Sequence, residues 1–354
     1  MPGGIIGAGV HGGASAQFPE EVILDNLEAL KPGTIKLFNE GLTLAPVIRE
    51  AFPDALIFGR LWLGPSDNEA NALCLSNPTR YAPILAEQCL THPANTEVNG
   101  WQSLNEPPTD TAVDCQRIVD FDCIFADALA QGDRWSCGSS IGGGGPVYMG
   151  DIIRWKPYLE RPNAIFTYDG YSQRLEHPDD SWTVYRYQKM RLIVNMPRIW
   201  FGETGHELGG YKALGISEEA YIADFKNRAL HWRLDGIIGA ATFLCRGNNG
   251  WPNFDIINTS IPAGLGEDNR AHPWTPPIAA YPSQQGGGTM EFRDRWPQEY
   301  LIWKQGGGIS DVDFLAWMAA TRAVRLRAEE FEMIANAIKG NVEALKQLAM
   351  APNP

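Results

Sequence analysis

Short apolar runs rich in β-branched and aromatic residues alternate along the chain with amphipathic stretches. We predict eight strands, at Gly4–Val10, Thr34–Phe38, Leu56–Trp62, Val98–Leu104, Arg134–Cys137, Ala164–Tyr168, Arg198–Gly202 and Gly236–Phe243. Helical patterns lie between them, at Pro19–Leu30, Ala45–Ala51, Thr79–Leu90, Thr111–Ala130, Gly150–Leu159, Ser181–Asn195 and Ser217–Leu234. Strands separated by helices imply a parallel sheet, and eight such units favour closure. The sequence therefore predicts an α/β fold, a (β/α)8 TIM barrel.

Residues 247–309 interrupt this alternation. They are rich in Gly, Pro and Asn, so we predict a long loop insertion after strand 8, with a short helical piece near Phe292–Lys304. From Ile309 onward apolar residues recur at helical spacing, and we expect the eighth barrel helix there, followed by a C-terminal helical extension. The expected division is a barrel over 1–327, which includes the insertion, and an extension with a tail over 328–354.

Charge and hydropathy narrow the classes of partner. The 42 acidic against 29 basic residues give a formal charge of -13, and an acidic surface repels phosphate backbones, so we expect no nucleic acid partner. No apolar run approaches the roughly 18 residues that cross a bilayer, so we expect no membrane partner. The N-terminus does not resemble a secretory signal. A cytoplasmic chain, a phage-released one and one whose signal was removed all stay open, as does the oligomeric state.

The six cysteines and the glycine-rich N-terminus carry no motif that requires a metal or a nucleotide. No CxxC pair is present, so we read the cysteines as small buried residues, with a Cys74–Cys89 disulfide as the alternative. GIIGAGVHGG resembles a dinucleotide fingerprint, but no convincing helix begins after it. We expect no cofactor and no metal.

Two carboxylates follow predicted strand ends. Strand four runs into Asn105-Glu106-Pro107, and strand seven runs into Gly202-Glu203-Thr204. Because the carboxyl ends of barrel strands meet at one face, Glu106 and Glu203 should converge from about half a barrel apart. Cleavage of a glycosidic bond needs one carboxyl group that is protonated and one that is ionised. Paired carboxylates in this arrangement are typical of that chemistry.

LNEPP at 104–108 and WFGETG at 200–205 resemble the signatures of glycoside hydrolase clan A, whose barrels carry an Asn-Glu pair after strand four and a Glu after strand seven. The resemblance covers most of residues 4–260, although only these two motifs are specific. It implies that Glu106 is the general acid/base, that Glu203 is the nucleophile and that Asn105 holds the sugar 2-hydroxyl. It also implies a carbohydrate substrate and retention of configuration.

Further residues are candidates for substrate binding. By the same resemblance, Tyr168 would donate a hydrogen bond to the nucleophile, with a half-buried barrel aromatic as the alternative. Trp251 follows strand eight and could stack on a sugar or only pin the insertion. Arg60 lies near the end of strand three, whereas clan A commonly has an Arg on strand two, so a structural ion pair is its alternative. His11 ends strand one, and His206 follows the nucleophile motif.

Two weaker features also bear on the cleft. Lys36, with Asn39 and Glu40 around strand two, could line the pocket floor. The 12 tryptophans, among them Trp62, Trp101, Trp200 and Trp274, fit either aromatic sugar platforms or ordinary core.

The expected function is a retaining glycoside hydrolase that cleaves β-glycosidic bonds in a poly- or oligosaccharide. Two alternatives stay open on the same barrel: a phage- or prophage-type endolysin that cleaves peptidoglycan, and a non-catalytic carbohydrate-binding protein. A binding protein has no need of both Glu106 and Glu203, so hydrolysis of an activated aryl glycoside discriminates these classes.

Overall fold

The computed structural model describes residues 3–15, 18–61, 66–142, 144–172, 184–206, 209–245 and 252–278. Eight parallel strands close into a barrel in which each strand pairs with the next along the chain and the last pairs with the first. Their bounds are β1 Ile6–Val10, β2 Thr34–Phe38, β3 Leu56–Arg60, β4 Gly100–Asn105, β5 Trp135–Gly142, β6 Phe166–Ser172, β7 Ile199–His206 and β8 Ala240–Cys245. All eight predicted strands and the TIM-barrel class are confirmed.

Helices surround the strands in the described ranges. Their bounds are α1 Glu20–Leu30, α2 Ala45–Ala51, α3 Asp67–Ser76, α4 Pro78–Thr91, α5 Ala112–Ala130, α6 Lys156–Leu159, α7 Arg186–Arg191, α8 Glu218–Leu234 and α9 Ile261–Ala271. Short 3-10 turns cover Asn39–Leu44, Pro93–Thr96 and Met149–Trp155. Side-chain caps begin several of the helices as the sequence indicates, with Ser217 Oγ accepting from the Ala220 amide at α8.

The position predicted for the eighth barrel helix was wrong. That helix is α9, which lies inside the stretch expected to be a loop insertion and packs between α8 and α1. Its two glycines and one proline hide the apolar periodicity from a sequence pattern. Gly266 is required there, because a Cβ at this position would come within 1.8 Å of the carbonyl oxygen of Ala29 on α1. The helical patterns near Phe292–Lys304 and after Ile309 lie outside the described residues.

Buried side chains fill the barrel in two layers. Phe58 and Trp200 belong to one cluster and pack against each other with their ring centroids 4.6 Å apart and their ring planes inclined by 50°. A larger cluster packs between strands and helices, and it includes Trp101 and Trp232. Trp101 and Trp200 are fully buried, so they are core residues and not sugar platforms.

Other expectations have mixed outcomes. Cys74 and Cys89 are buried free thiols, so the alternative of a disulfide between them was wrong. The helix predicted over Ser181–Asn195 is observed as the shorter α7, and residues 173–183 lie outside the described ranges. Within the described ranges, helices long and apolar enough to cross a membrane are absent.

Candidate active site

Glu203 lies at the mouth of the barrel, inside a ring of hydrogen-bond donors and cations. Lys36 Nζ donates to its Oε1 over 2.8 Å, and Tyr171 Oη donates to its Oε2 over 2.5 Å. Arg60 Nη1 lies 3.7 Å and His11 Nε2 3.9 Å from Oε1. Burial alone would raise the pKa of Glu203, but Lys36, His11 and Arg60 outweigh it and hold that pKa well below its usual range. Glu203 is therefore a fixed, ionised carboxylate.

Arg60 and His11, which the sequence analysis put forward as site residues, are both brought to Glu203. Arg60 is buried on β3, pairs with Asp67 and lies over the Phe38 ring, 4.4 Å from its centroid. Arg60 therefore forms an ion pair with Asp67 and also lies beside Glu203, and its role toward a substrate stays a prediction. The His11 ring packs 5.6 Å from Phe38, which limits its freedom to move away from the carboxylate.

Glu106 follows β4 directly and has a left-handed backbone, with φ of 41°. This conformation costs a residue with a side chain about 1–3 kcal/mol and persists only where the surroundings hold it. Here the Glu106 amide donates to Ser140 Oγ over 3.2 Å, from the neighbouring strand β5. The bend turns the side chain toward the barrel mouth, where it lies close to Gly142.

The Glu106 carboxyl group has the opposite electrostatic surroundings from Glu203. Desolvation, followed by the negative charges of Asp169 and Glu203, raises its pKa, and Lys36 and Arg60 offset only part of this rise. Glu106 is exposed at the open mouth, so solvent screens part of the shift, but its direction is upward. One carboxyl group of the site thus favours the ionised form and the other favours the protonated form.

Asn105 is held beside Glu106 by contacts from two strands. Its Oδ1 accepts from Ser140 Oγ over 3.2 Å and from Gln102 Nε2 over 3.4 Å. Its Nδ2 donates to Asp67 Oδ2 over 3.4 Å. The amide nitrogen therefore faces away from the strand network, and its second proton can be donated to a ligand.

The assignment of Tyr168 was wrong, because Tyr171 is the tyrosine that bonds Glu203. Side chains alternate along a strand, and Asp169 and Tyr171 share one side of β6. Tyr168 points the other way, between strands and helices, where its ring meets that of Phe201 at 5.4 Å. The predicted strand ended at Tyr168, whereas β6 extends to Ser172, and this early end concealed the alternation.

His206 was also wrongly assigned to substrate binding. It is fully buried on the helix side of β7, 3.3 Å from Asp224 Oδ2, and its ring lies 5.3 Å from that of Tyr221. The alternation along β7 turns Gly205 toward the mouth and His206 toward α8. Burial lowers the pKa of His206.

The structure does not place three of the candidate tryptophans in the site. Trp251 and Trp62 lie outside the described residues. Trp274 is half-buried and donates from Nε1 to the carbonyl oxygen of Ile237, so it is a structural residue. Of the suggested floor residues, Lys36 belongs to the site. Among the described residues, no group of three His, Cys, Asp or Glu side chains is arranged to hold a metal.

The sequence analysis missed Gln102, which lies inside a predicted strand, and also Ser140, Asp169 and Tyr171, which lie on β5 and β6 beyond the ends predicted for those strands. A count in steps of two along IFTYDGYS would have placed Asp169 and Tyr171 on the same side of β6. Nothing comparable marks Gln102 or Ser140, because polar residues inside a barrel become visible only once the register of neighbouring strands is known.

No protein-family model and no curated protein matches the sequence. Solved structures do resemble the chain. A family 5 cellulase from an Icelandic hot spring isolate is 12% identical with a TM-score of 0.50, over 78% of this chain and 91% of that one. A family 39 glycoside hydrolase from the gut symbiont Bacteroides cellulosilyticus WH2 is 11% identical with a TM-score of 0.47, over 75% of this chain and 63% of that one. Thermotoga maritima Cel5A, in a mutant form with cellobiose, is 13% identical with a TM-score of 0.46, over 75% and 96%. At these identities the likeness concerns the fold.

Proposed function

We propose that the protein is a retaining glycoside hydrolase of clan A type that cleaves β-glycosidic bonds in a poly- or oligosaccharide by double displacement. The observation that carries the proposal is the pair of carboxyl groups of Glu106, which follows β4, and Glu203, which lies on β7, in surroundings that favour opposite protonation states. Glu203 is ionised by Lys36 and the cations beside it, and the surroundings of Glu106 favour its proton. Double displacement requires these two states at the same pH.

The first step forms a covalent intermediate. Glu203 attacks the anomeric carbon while Glu106 gives its proton to the departing glycosidic oxygen. Tyr171 and Lys36 hold the two oxygens of Glu203, so attack needs little rearrangement of the carboxylate. Esterification removes the negative charge of Glu203 while Glu106 gains one, and the net charge of the site is conserved.

The second step releases the sugar. Glu106, now a carboxylate, takes a proton from a water molecule that attacks the anomeric carbon, and the bond to Glu203 breaks. Asn105 presents its Nδ2 outward from the strand network, which suits a hydrogen bond to the sugar 2-hydroxyl. Such a bond strengthens as charge develops at the anomeric carbon.

Two features guide the choice of substrate to test: the paired cations of the site and the similarity of the fold to that of a cellulase. Neutral sugars suit a site in which Lys36 and Arg60 are already paired with Glu203 and Asp67. The similarity to a cellulase makes a β-glucan the first substrate to test. Peptidoglycan belongs in the same panel, because an endolysin would have the same two carboxyl groups.

The deciding experiment is a digest panel with analysis of the first product by proton NMR. The proposal expects β-glycosides to be hydrolysed, with the β-anomer formed first. Initial formation of the α-anomer would indicate inversion, and binding without hydrolysis across the panel would favour the non-catalytic alternative. Cleavage of peptidoglycan alone would make the protein an endolysin.

A further inference from the structure

Asp169 is a third carboxyl group of the site, and it lacks a donor. It lies on β6 in register with Glu203, and none of its surface is exposed. Neither carboxyl oxygen accepts a hydrogen bond from the part of the chain that the structure describes. An ionised carboxylate that is buried without partners is among the costliest groups in a protein interior. Its state therefore requires an explanation.

A second buried acceptor without a donor, Gln102 Oε1, faces the same place. Both atoms flank Gly202 of β7. A Cβ at position 202 would lie 2.9 Å from Asp169 Oδ1 and 3.4 Å from Gln102 Oε1. Two buried acceptors beside the same glycine repel each other unless one of them carries a proton. The glycine leaves room for that contact.

The amide of Gln102 is fixed in this orientation. Its Nε2 donates to the carbonyl oxygen of Leu104 over 3.3 Å and to Asn105 Oδ1 over 3.4 Å. Reversal of the amide would place its oxygen against these two acceptors, so Oε1 must face Asp169.

Ser140 cannot satisfy Asp169 and Asn105 together. Its hydroxyl group lies close enough to Asp169 to lower the pKa of that carboxyl group, but it has a single proton, which is directed to Asn105 Oδ1 over 3.2 Å. Its oxygen meanwhile accepts from the Glu106 amide. A hydrogen bond between Asp169 and Gln102 therefore needs a proton that Asp169 itself carries.

We propose that Asp169 is protonated in the resting protein and donates a hydrogen bond to Gln102 Oε1, and that this proton orients Asn105. The order of donors is then fixed, from the Asp169 hydroxyl to Gln102 and from Gln102 Nε2 to Asn105 Oδ1. Asn105 Nδ2 is left facing outward. Asp169 is thus a positioning residue, and its effect on turnover rests on the proposed function.

The charges around Asp169 agree with this state. Burial and the charge of Glu203 raise its pKa, and Lys36, the Ser140 hydroxyl group and Arg60 lower it less. Lys36 Nζ is directed to Glu203 and is not a donor to Asp169. Protonation of Asp169 removes one of the charges that raise the pKa of Glu106, and desolvation and the charge of Glu203 remain as causes of that rise. Loss of the proton would favour the reversed amide of Gln102, which would turn Asn105 Oδ1 outward.

Infrared difference spectroscopy tests the proton without any substrate. Full-length wild type and Asp169→Asn are compared in D2O at mildly acidic pH. We expect a carboxylic-acid C=O band in the wild type that Asp169→Asn lacks. Glu106→Gln is the matched control, and it should leave that band in place. If the Asp169→Asn difference spectrum contains only carboxylate bands, Asp169 is ionised and the proposal is overturned.

Activity tests the positioning role. The side-chain amide introduced by Asp169→Asn can donate to Gln102 Oε1 permanently, so this variant should retain far more of the wild-type kcat than Asp169→Leu does. Asp169→Leu cannot donate, and kcat should fall about a hundredfold, the loss expected from a displaced contact. The pH at which activity falls on the alkaline side should be the same in Asp169→Asn as in the wild type, or higher. An equal loss in both variants, or a downward shift of that pH, would overturn the positioning role.

The two proposals fail in different ways. If the wild type hydrolyses none of the glycans, the proposed function fails, while the infrared band still decides the state of Asp169. If hydrolysis occurs but Asp169→Leu is as active as the wild type, the positioning role fails and the glycosidase stands. Circular dichroism of Asp169→Leu, with thermal unfolding, establishes that the variant is folded.

Discussion

Glu203 and His206 lie three residues apart on β7, yet they belong to two different charge clusters. At the mouth, Glu203 meets Lys36, Arg60 and Tyr171, and two further carboxyl groups lie close by. On the helix side, His206 lies 3.3 Å from Asp224, whose Oδ2 is also 2.5 Å from Arg228 of α8. Both clusters are buried, so burial alone does not distinguish a site from a structural ion pair.

The difference lies in the balance of charge and in access. The helix-side cluster pairs one carboxylate with one guanidinium, and Arg228 also donates to Ser172 Oγ over 2.7 Å. The mouth cluster holds more carboxyl groups than its cations can pair, and Glu106 opens to solvent. A surplus carboxyl group takes up a proton, and a site that holds and releases protons can carry acid/base chemistry.

The largest expected effect is that of Glu203→Gln. Without a carboxylate no glycosyl-enzyme can form, so kcat should fall by about 10⁴-fold or more, as removal of a nucleophile does in other covalent mechanisms. Steady-state kinetics on an activated aryl glycoside measures the loss. Substantial remaining turnover would mean that the chemistry lies elsewhere.

Glu106→Gln should have the next largest effect, and one that depends on the leaving group. Loss of the general acid should cost about 10²–10⁴-fold with a poor leaving group and far less with an activated aryl glycoside. Azide should rescue Glu106→Ala on the activated substrate and give a β-glycosyl azide. Equal damage on every substrate, with no rescue, would contradict separate roles for Glu106 and Glu203.

Asp224→Ala breaks the helix-side cluster instead. It leaves Arg228 buried without its counter-ion, so the free energy of unfolding should fall by about 3–5 kcal/mol. Urea unfolding measures this change, and kcat of the folded fraction should equal that of the wild type. A loss of kcat with unchanged stability would show that the two clusters are coupled.

The two tyrosines of β6 provide a matched pair. Tyr171→Phe removes a hydrogen bond to a charged group, worth about 1.5–3 kcal/mol, so kcat/KM should fall about tenfold to a hundredfold. Tyr168→Phe keeps a ring that packs against Phe201 and should leave kcat/KM unchanged. The reverse result would restore the assignment made from the sequence.

The comparison also explains what the sequence could predict. All eight strands were visible, because each is a short apolar run between amphipathic helices. The two motifs located Glu106 and Glu203, since a carboxylate that follows a barrel strand must reach the mouth. The errors at Tyr168 and His206 have one cause. Which side of a strand a residue faces depends on where the strand ends and where its register shifts, as it does between Tyr168 and Asp169.

The smallest expected effect is the pH dependence of stability, which should have opposite signs in the two clusters. The pKa of Asp169 is raised, so the stability that its protonated form gives is complete below the unfolded pKa of about 4. That stability declines as pH rises toward the folded pKa, by at most about 1.4 kcal/mol per pH unit. The wild type should therefore lose unfolding free energy relative to Asp169→Asn between about pH 4 and about pH 7.

The pKa of Asp224 is lowered, although burial opposes the shift, because His206 and Arg228 stabilise the charged form. Its contribution is complete above the unfolded pKa of about 4 and is lost as pH falls below that value. The unfolding free energy of Asp224→Asn should therefore lie below that of the wild type by a constant amount at neutral pH, and this difference should shrink in acid. Urea midpoints of the wild type and both variants across this range measure the two slopes. The difference in unfolding free energy between the wild type and Asp169→Asn could instead shrink in acid, as expected for Asp224→Asn. Asp169 would then be an ordinary ionised carboxylate, and the contrast between the mouth and the helix side would disappear.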